Sequence, residues 1–70
     1  MELRVREAQR VTADLFDVLG RRVRRVYDAD VPEGGQIAVS IPRGTMTAGQ
    51  YFLRISGKSF VATRRVVVAK

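Results

Sequence analysis

Pairs of carboxylates are the side chains of this sequence that come nearest to a reactive or metal-binding arrangement. Asp14 and Asp17 lie three residues apart, and Asp28 and Asp30 lie two apart. Paired carboxylates can bind Ca²⁺ or perform acid–base chemistry. Asp28-Ala29-Asp30 resembles the opening of a calcium-binding loop, but no Gly and Glu follow at the spacing that such a loop requires. We therefore expect solvated loop carboxylates, with neither a metal nor another cofactor.

The composition removes the commonest catalytic groups. The 70 residues include no Cys and no His, which excludes thiol catalysis, Cys-ligated zinc and Ser-His or Cys-His nucleophilic pairs. The serines Ser40, Ser56 and Ser59 consequently have no histidine base to activate them. The glycines do not form the Gly-x-x-x-x-Gly-Lys-Ser/Thr loop that cradles phosphates. The sequence predicts that the protein is not an enzyme.

Positive charge is concentrated in the second half of the chain. Residues 1–33 carry seven basic and seven acidic side chains, whereas residues 34–70 carry six basic and no acidic ones, for a formal net charge of +6. Such a half could face an acidic partner, a phosphate backbone or an anionic lipid surface, or it could be a sheet face kept soluble by arginine.

Aromatic residues are interleaved with the arginines, which raises the question of nucleic-acid binding. A platform for nucleic acid needs aromatic and basic side chains on one exposed face. A sandwich this small needs its rings in the core, so we expect them there and predict no nucleic-acid partner. The rings belong to Phe16, Tyr27, Tyr51, Phe52 and Phe60.

Apolar residues that alternate with polar ones predict six short strands, near residues 3–5, 11–15, 21–27, 37–41, 51–55 and 60–68. Val23 and Val26 are three apart, which strict alternation would place on opposite faces, so we expect a bulge or a strong twist near Arg24-Arg25. Residues 28–35 are predicted to form a loop. The last strand is apolar on both faces, so we expect it near the centre of its sheet, with Arg64 and Arg65 at an edge or rim. The pattern predicts one all-β domain over residues 1–70, an antiparallel sandwich or small barrel.

Two glycines mark places where the chain must turn. Asp17-Val18-Leu19-Gly20 is typical of a type I turn, in which the first Asp accepts backbone N–H groups and the last Gly takes a positive φ. Gly49 is expected to let the chain swing into the strand that contains Tyr51. We expect Tyr51, Leu53, Val66 and Val68 to point inward from their strands.

Three segments resemble the C-terminal sorting domains of the type IX secretion system, also called the Por secretion system. Residues 12–23, TADLFDVLGRRV, are similar to the family block V-x-L-x-Y-D-V-L-G-R-x-V. Residues 46–54, MTAGQYFLR, are similar to L-x-S-G-x-Y-F-x-R, although the segment before Gly49 reads Thr45-Met46-Thr47-Ala48 where the family prefers a Leu and a Ser. Residues 60–70 resemble the hydrophobic run and basic end that close the family's sequences. The blocks keep the family's order and cover most of residues 3–70.

The resemblance implies an immunoglobulin-like β-sandwich that directs an exported cargo through this system to the cell surface or medium. Such a module follows an N-terminal cargo domain, passes through the periplasm, is recognised by an outer-membrane translocon and is cut by a sortase-like peptidase. Asp17, Gly20, Gly49 and Tyr51 match the family's turn and fold signature. Arg64, Arg65 and Lys70 form our candidate docking group, for an acidic translocon surface or lipid phosphate. Residues 1–7 lack the apolar run of a secretory signal, as expected of the tail of a larger protein.

One departure from the family has a physical consequence. Family members usually begin with a block like Y-P-N-P-F that supplies the first strand, and this sequence starts after it, so we expect an N-terminally truncated module. A missing strand leaves unpaired N–H and C=O groups at an open edge. We therefore expect a homodimer formed through that edge, by strand addition or exchange.

Two other classes of function remain open from the sequence. A structural β-sandwich appended to a surface enzyme or adhesin would share the fold and play no part in export. A small basic nucleic-acid-binding β-barrel would bind DNA or RNA with an affinity that falls steeply with salt.

Overall fold

The computed structural model describes residues 2–69, which form six β-strands and a single short 3-10 turn. The strands are β1 (Glu2–Arg4), β2 (Gln9–Phe16), β3 (Arg22–Val31), β4 (Gln36–Ala38), β5 (Gly49–Ser56) and β6 (Val61–Val68), and the 3-10 turn covers Arg43–Thr45. The predicted all-β class and the number of strands are confirmed.

The strands form two antiparallel sheets that pack as a small sandwich. One sheet has four strands in the order β3-β2-β5-β6, and the other pairs β1 with β4. β2 and β5 are the central strands of the larger sheet, with Leu15 opposite Leu53 and Phe16 opposite Phe52. No helix within residues 2–69 has the length and apolar character needed to cross a membrane.

The core lies between the two sheets and follows the alternation of the sequence. Along β2, every second side chain from Gln9 to Leu15 is buried. The inner face of the large sheet supplies Val11, Ala13, Leu15, Tyr51, Leu53, Ile55, Val66 and Val68, and the opposite layer supplies Val5, Ile37, Val39 and Met46. Burial of Tyr51, Leu53, Val66 and Val68 is as predicted. Each large aliphatic side chain removed from water contributes about 1.5–3 kcal/mol, so this cluster is the main source of stability.

β3 is longer and less regular than predicted. It continues to Val31, so Asp28, Ala29 and Asp30 belong to a strand and the prediction of a loop over residues 28–35 is wrong there. The strand extends because its backbone ladder with β2 continues from Asp28 to Val31. Arg10 of β2 adds ion pairs across that ladder, at 2.9 Å to Asp28 and 3.5 Å to Asp30. The register shifts opposite Ala13/Asp14 and Leu15/Phe16, which bulges β3 at Val26 and Val23. The predicted bulge near Arg24-Arg25 is therefore confirmed.

β6 lies at an edge of the large sheet, so its predicted position near the centre is wrong. Val66 and Val68 are buried, whereas Val61 and Val67 remain 59% and 55% exposed. Within residues 2–69, no second layer covers the outer-face valines. The strand is therefore buried on its inner face only, although its sequence is apolar on both faces. Arg64 and Arg65 are both exposed on this edge strand, as expected for a rim.

Candidate functional site

A single carboxylate holds the turn between β2 and β3. Oδ1 of Asp17 accepts the backbone N–H groups of Leu19 at 2.9 Å and Arg21 at 3.0 Å, and Oδ2 accepts Nε of Arg21 at 3.1 Å. The backbone N–H of Gly20 donates to the carbonyl of Asp17, and Gly20 has a φ of 82°. These bonds lower the pKa of Asp17, the N–H of Arg21 most of all, against a smaller opposing effect of desolvation. The turn stays rigid while Val18 and Leu19 at its tip stay exposed.

The entry into β5 is fixed by Tyr51. Its ring is buried in the core, and its hydroxyl donates to the carbonyl of Thr47 at 2.8 Å and lies 2.9 Å from the hydroxyl of Thr47. A tyrosine hydroxyl that bonds to the backbone a few residues upstream is similar to the tyrosine corner of immunoglobulin-type sandwiches. Gly49, between the two, has a φ of 155°, which side-chain-bearing residues rarely adopt. Thr47, Gly49 and Tyr51 thus fold the loop before β5 onto the core.

Three of the four paired carboxylates, Asp14, Asp28 and Asp30, are ion-pair partners across the β2–β3 ladder. Asp14 accepts Nε of Arg25 at 2.9 Å, and this bond raises the pKa of the Arg25 guanidinium. Asp28 lies between Arg10 and Arg25, at 2.9 and 3.6 Å. Asp14 and Asp17 do not share a site, because Asp17 is committed to its own turn. Within residues 2–69, no three acidic side chains come together as a candidate metal site.

Gln9 is a structural residue that the sequence analysis missed. Its side chain is buried; its Nε2 donates to the carbonyl of Glu7 at 3.2 Å and to the hydroxyl of Ser59 at 3.1 Å. Its Oε1 accepts the backbone N–H of Ser59 at 3.2 Å. This amide ties the start of β2 to the β5–β6 turn, fifty residues away. No local pattern could have revealed the pairing.

Two members of the candidate docking group, Arg64 and Arg65, lie on opposite sides of the large sheet. Arg64 lies opposite Leu53, on the side of the sheet that faces the core, whereas Arg65 lies opposite Phe52, on the outer side. Both side chains are exposed, and the guanidinium of Arg64 donates to the neighbouring carbonyl of Thr63 at 3.0 Å. Lys70 lies outside the described residues. A partner that docks on one face of the large sheet can therefore contact Arg64 or Arg65, but not both.

The expectation that the aromatic rings are used in the core is correct for only some of them. Tyr51 is buried, and Tyr27 and Phe60 pack against the core. Phe16 and Phe52 instead lie side by side on the outer face of the large sheet, half-buried, with Arg22 and Arg65 opposite them. The register of β2 against β5 puts them there, because Leu15 and Leu53 take the inward positions next to them. An exposed face with aromatic and basic residues does exist.

The best-defined polar contacts of this small sandwich are those by which side chains hold its turns and loops. The family model for the Secretion system C-terminal sorting domain matches residues 1–69, and the chain belongs to this family. No curated protein and no solved structure matches the chain.

Family membership defines the general function of the chain. Secretion system C-terminal sorting domains are the signal modules that direct a cargo protein through the type IX secretion system. The chain therefore serves an N-terminal cargo and a secretion system, and the destination of the cargo is the cell surface or the extracellular space.

Proposed function

We propose that this module acts as a folded export signal that is read by its shape and surface, without catalysis. It would be a single immunoglobulin-like sandwich that survives folded in the periplasm until the outer-membrane translocon engages it. A sortase-like peptidase would then separate it from the cargo. Among the exposed arginines of the second half, those on the outer face of the large sheet, Arg54 and Arg65, supply the positive charge for docking.

The observation that carries this proposal is the use of the polar side chains. The carboxylate of Asp17, the hydroxyl of Tyr51 and the amide of Gln9 each bond to the backbone of a neighbouring loop. These hydrogen bonds fix the shape of the domain, because each one holds a turn or loop at a defined place on the sandwich. Gly20 and Gly49 belong to the same arrangement, since each adopts a φ that favours glycine. A module that is recognised by its folded shape requires hydrogen bonds that fix its loops, and it does not require a nucleophile.

An export assay tests the proposal directly. Residues 1–70 are fused behind a reporter that carries an ordinary signal peptide, and the fusion is expressed in a bacterium with a type IX system. We expect the reporter at the surface or in the medium, and in the periplasm when the translocon is deleted. The reporter without residues 1–70 is the matched control.

A second fusion carries the family's Y-P-N-P-F block before Met1. It distinguishes a module that has no sorting role from one that lacks only a strand. Export of either fusion supports the proposal. If only the second fusion is exported, the module needs that additional strand for sorting. Retention of both in the periplasm contradicts a sorting role and favours the structural sandwich.

We also propose that the module pairs with a second copy through an open strand edge. β6 is the better edge, because it runs for eight residues against β5 without a register shift, whereas β3 is broken by two bulges. Arg43 covers only one end of that edge, where its guanidinium donates to the carbonyl of Val67 at 3.0 Å. Light scattering at high micromolar concentration should give the mass of a dimer. A monomer mass at that concentration would contradict the pairing.

A further inference from the structure

The outer face of the large sheet is built around two phenylalanines. Phe16 on β2 and Phe52 on β5 are direct cross-strand neighbours on the two central strands. Arg22 of β3 lies opposite Phe16, and Arg65 of β6 lies opposite Phe52, so the rings stand between two arginines in one row. Aromatic side chains and arginine are the residues most enriched at the centres of protein interfaces. We call this surface the Phe16–Phe52 face.

The charges around these rings are unbalanced. In the row of the rings and the next row, four arginines, Arg22, Arg25, Arg54 and Arg65, stand against the single carboxylate of Asp14. That carboxylate is bound by Arg25. Within residues 2–69, Arg22, Arg54 and Arg65 form no ion pair, and all three are exposed. The face therefore offers three guanidinium groups to carboxylates that a partner would bring.

A cleft and two aliphatic side chains complete the surface. The cleft, of about 300 Å³, lies between the β2–β3 turn and Phe52, and Phe16, Asp17, Val18, Arg54 and Thr63 line it. The carboxylate of Asp17 is already bound within its own turn. Val18 and Leu19, at the tip of the turn, are 65% and 73% exposed. The hydrogen bonds of Asp17 hold this turn rigid, so the two aliphatic side chains are displayed at small cost in entropy on binding.

We propose that the Phe16–Phe52 face docks an acidic protein segment, one that inserts an apolar side chain into the cleft and places its carboxylates against Arg22, Arg54 and Arg65. The occupant is a segment of the secretion machinery, and in this respect the inference rests on the sorting function. Charge complementarity selects an acidic partner, and the rings and the cleft select an apolar side chain between its carboxylates.

Single-stranded nucleic acid is the main competing occupant, since exposed rings on the central strands of a four-stranded sheet can also stack on bases. The exposed Val18 and Leu19 favour a protein, because aliphatic side chains neither stack on bases nor pair with phosphate. The system that this family serves also transports proteins.

The test uses variants with equal changes of charge on opposite sides of the sheet. R22E/R54E/R65E reverses the face, and R4E/R6E/R64E reverses three exposed arginines away from it. R64E and R65E alone form a closer pair, because the two residues are neighbours in sequence and lie on opposite faces. F16S/F52S removes the rings, and R22K/R54K/R65K keeps the charge. Circular dichroism during heating verifies that each variant is folded.

Export of the reporter fusion gives the first readout. We expect R22E/R54E/R65E and F16S/F52S to lower export at least tenfold, and R4E/R6E/R64E to stay within twofold of the wild type. R22K/R54K/R65K should lower export less than R22E/R54E/R65E does, because lysine keeps the charge and loses the planar guanidinium. Wild-type export by the folded face variants would overturn the inference and leave the sorting function intact. Retention of both wild-type fusions, without and with the Y-P-N-P-F block, would overturn the sorting function and this inference with it.

Binding in solution gives the second readout and identifies the occupant. Labelled peptides of the composition Glu-Glu-Leu-Leu-Glu-Glu and Lys-Lys-Leu-Leu-Lys-Lys are titrated with the protein at about 150 mM salt. We expect binding of the acidic peptide only, weakened at least tenfold by R22E/R54E/R65E and unchanged by R4E/R6E/R64E. Binding of an oligo-uridine RNA or of phosphatidylglycerol vesicles that is lost in the face variants, with no binding of the acidic peptide, would overturn the proposal in favour of that ligand.

Discussion

The carboxylate of Asp17 organises a whole turn from one position. It accepts two backbone N–H groups and the guanidinium of Arg21, which would otherwise bond to water. Because these donors favour the ionised form, the pKa of Asp17 lies below its ordinary value of 3.8. The turn that presents Val18 and Leu19 is therefore stabilised by a charge.

Replacing that charge should change how stability depends on pH. A carboxyl whose pKa is lowered by folding contributes stability that is present above its unfolded pKa and is lost as pH falls through the folded one. Asp17→Asn keeps an oxygen for the N–H groups of Leu19 and Arg21 and removes the charge. We expect the wild type to have the higher Tm at neutral pH, and the difference to shrink below about pH 4. Thermal unfolding from about pH 7 to pH 2 measures this. A difference that stays constant over this range would contradict the role of the charge.

Gly20 gives a second prediction at the scale of one residue. Its φ of 82° lies in the left-handed region, and a Cβ added there would meet no atom within 4 Å, so Gly20→Ala would test the backbone alone. We expect a loss of about 1–2 kcal/mol in the free energy of unfolding. Gly44→Ala is the matched control, because a Cβ there also meets nothing within 4 Å and the φ is not in that region. Urea denaturation compares the two, and equal effects would contradict the assignment.

The sequence predicts residues such as Asp17 and Gly20 well because their bonds are local. An Asp followed three positions later by a Gly contains the chemistry of the turn within four residues. Gln9 could not be predicted in this way, since its partner Ser59 is fifty residues distant and any polar side chain at the start of a strand is ordinarily solvated.

At the scale of the strands, sequence alternation predicts which face of the sheet each side chain lies on, and it does not predict which strands are adjacent. The alternation of β2, β5 and β6 gave the inward residues correctly, because a period of two follows from the pleat itself. The place of β6 at an edge could not be inferred, because exposed Val61 and Val67 look in sequence like valines under a covering layer. The extent of β3 follows from its pairing with the start of β2, a partner that its own sequence does not reveal.

Gln9 provides the prediction at this scale, because it joins the first long strand to the last hairpin. Gln9→Ala leaves the backbone N–H of Ser59 without its acceptor in a part-buried site. We expect a loss of about 1–3 kcal/mol in the free energy of unfolding, the cost of an unsatisfied buried group. Gln50→Ala, at an exposed position of β5, should change stability by no more than about 0.5 kcal/mol. Urea denaturation of both variants checks this, and a neutral Gln9→Ala would contradict it.

The whole molecule has little stability to spare. A domain of 70 residues is stabilised by only about 4–10 kcal/mol, so one large cavity can unfold much of the population. The two faces of the large sheet have different roles. The inner face carries the core, and the outer face keeps Phe16 and Phe52 among arginines, where they add little to the core. The sequence could not distinguish these two phenylalanines from core residues, because Phe alternates with Leu at both sites.

The central claim is that the folded outline is the export signal. The most direct test measures export of reporter fusions against the fraction of folded module, over the wild type, Val67→Ala, Gln9→Ala and Leu15→Ala. Leu15 is fully buried, and its truncation should cost about 2–5 kcal/mol, whereas Val67 is exposed and its truncation should cost little. Export should fall in step with the folded fraction, with Leu15→Ala lowest and Val67→Ala equal to the wild type. Full export of an unfolded Leu15→Ala module would contradict the claim, because a short linear segment would then suffice.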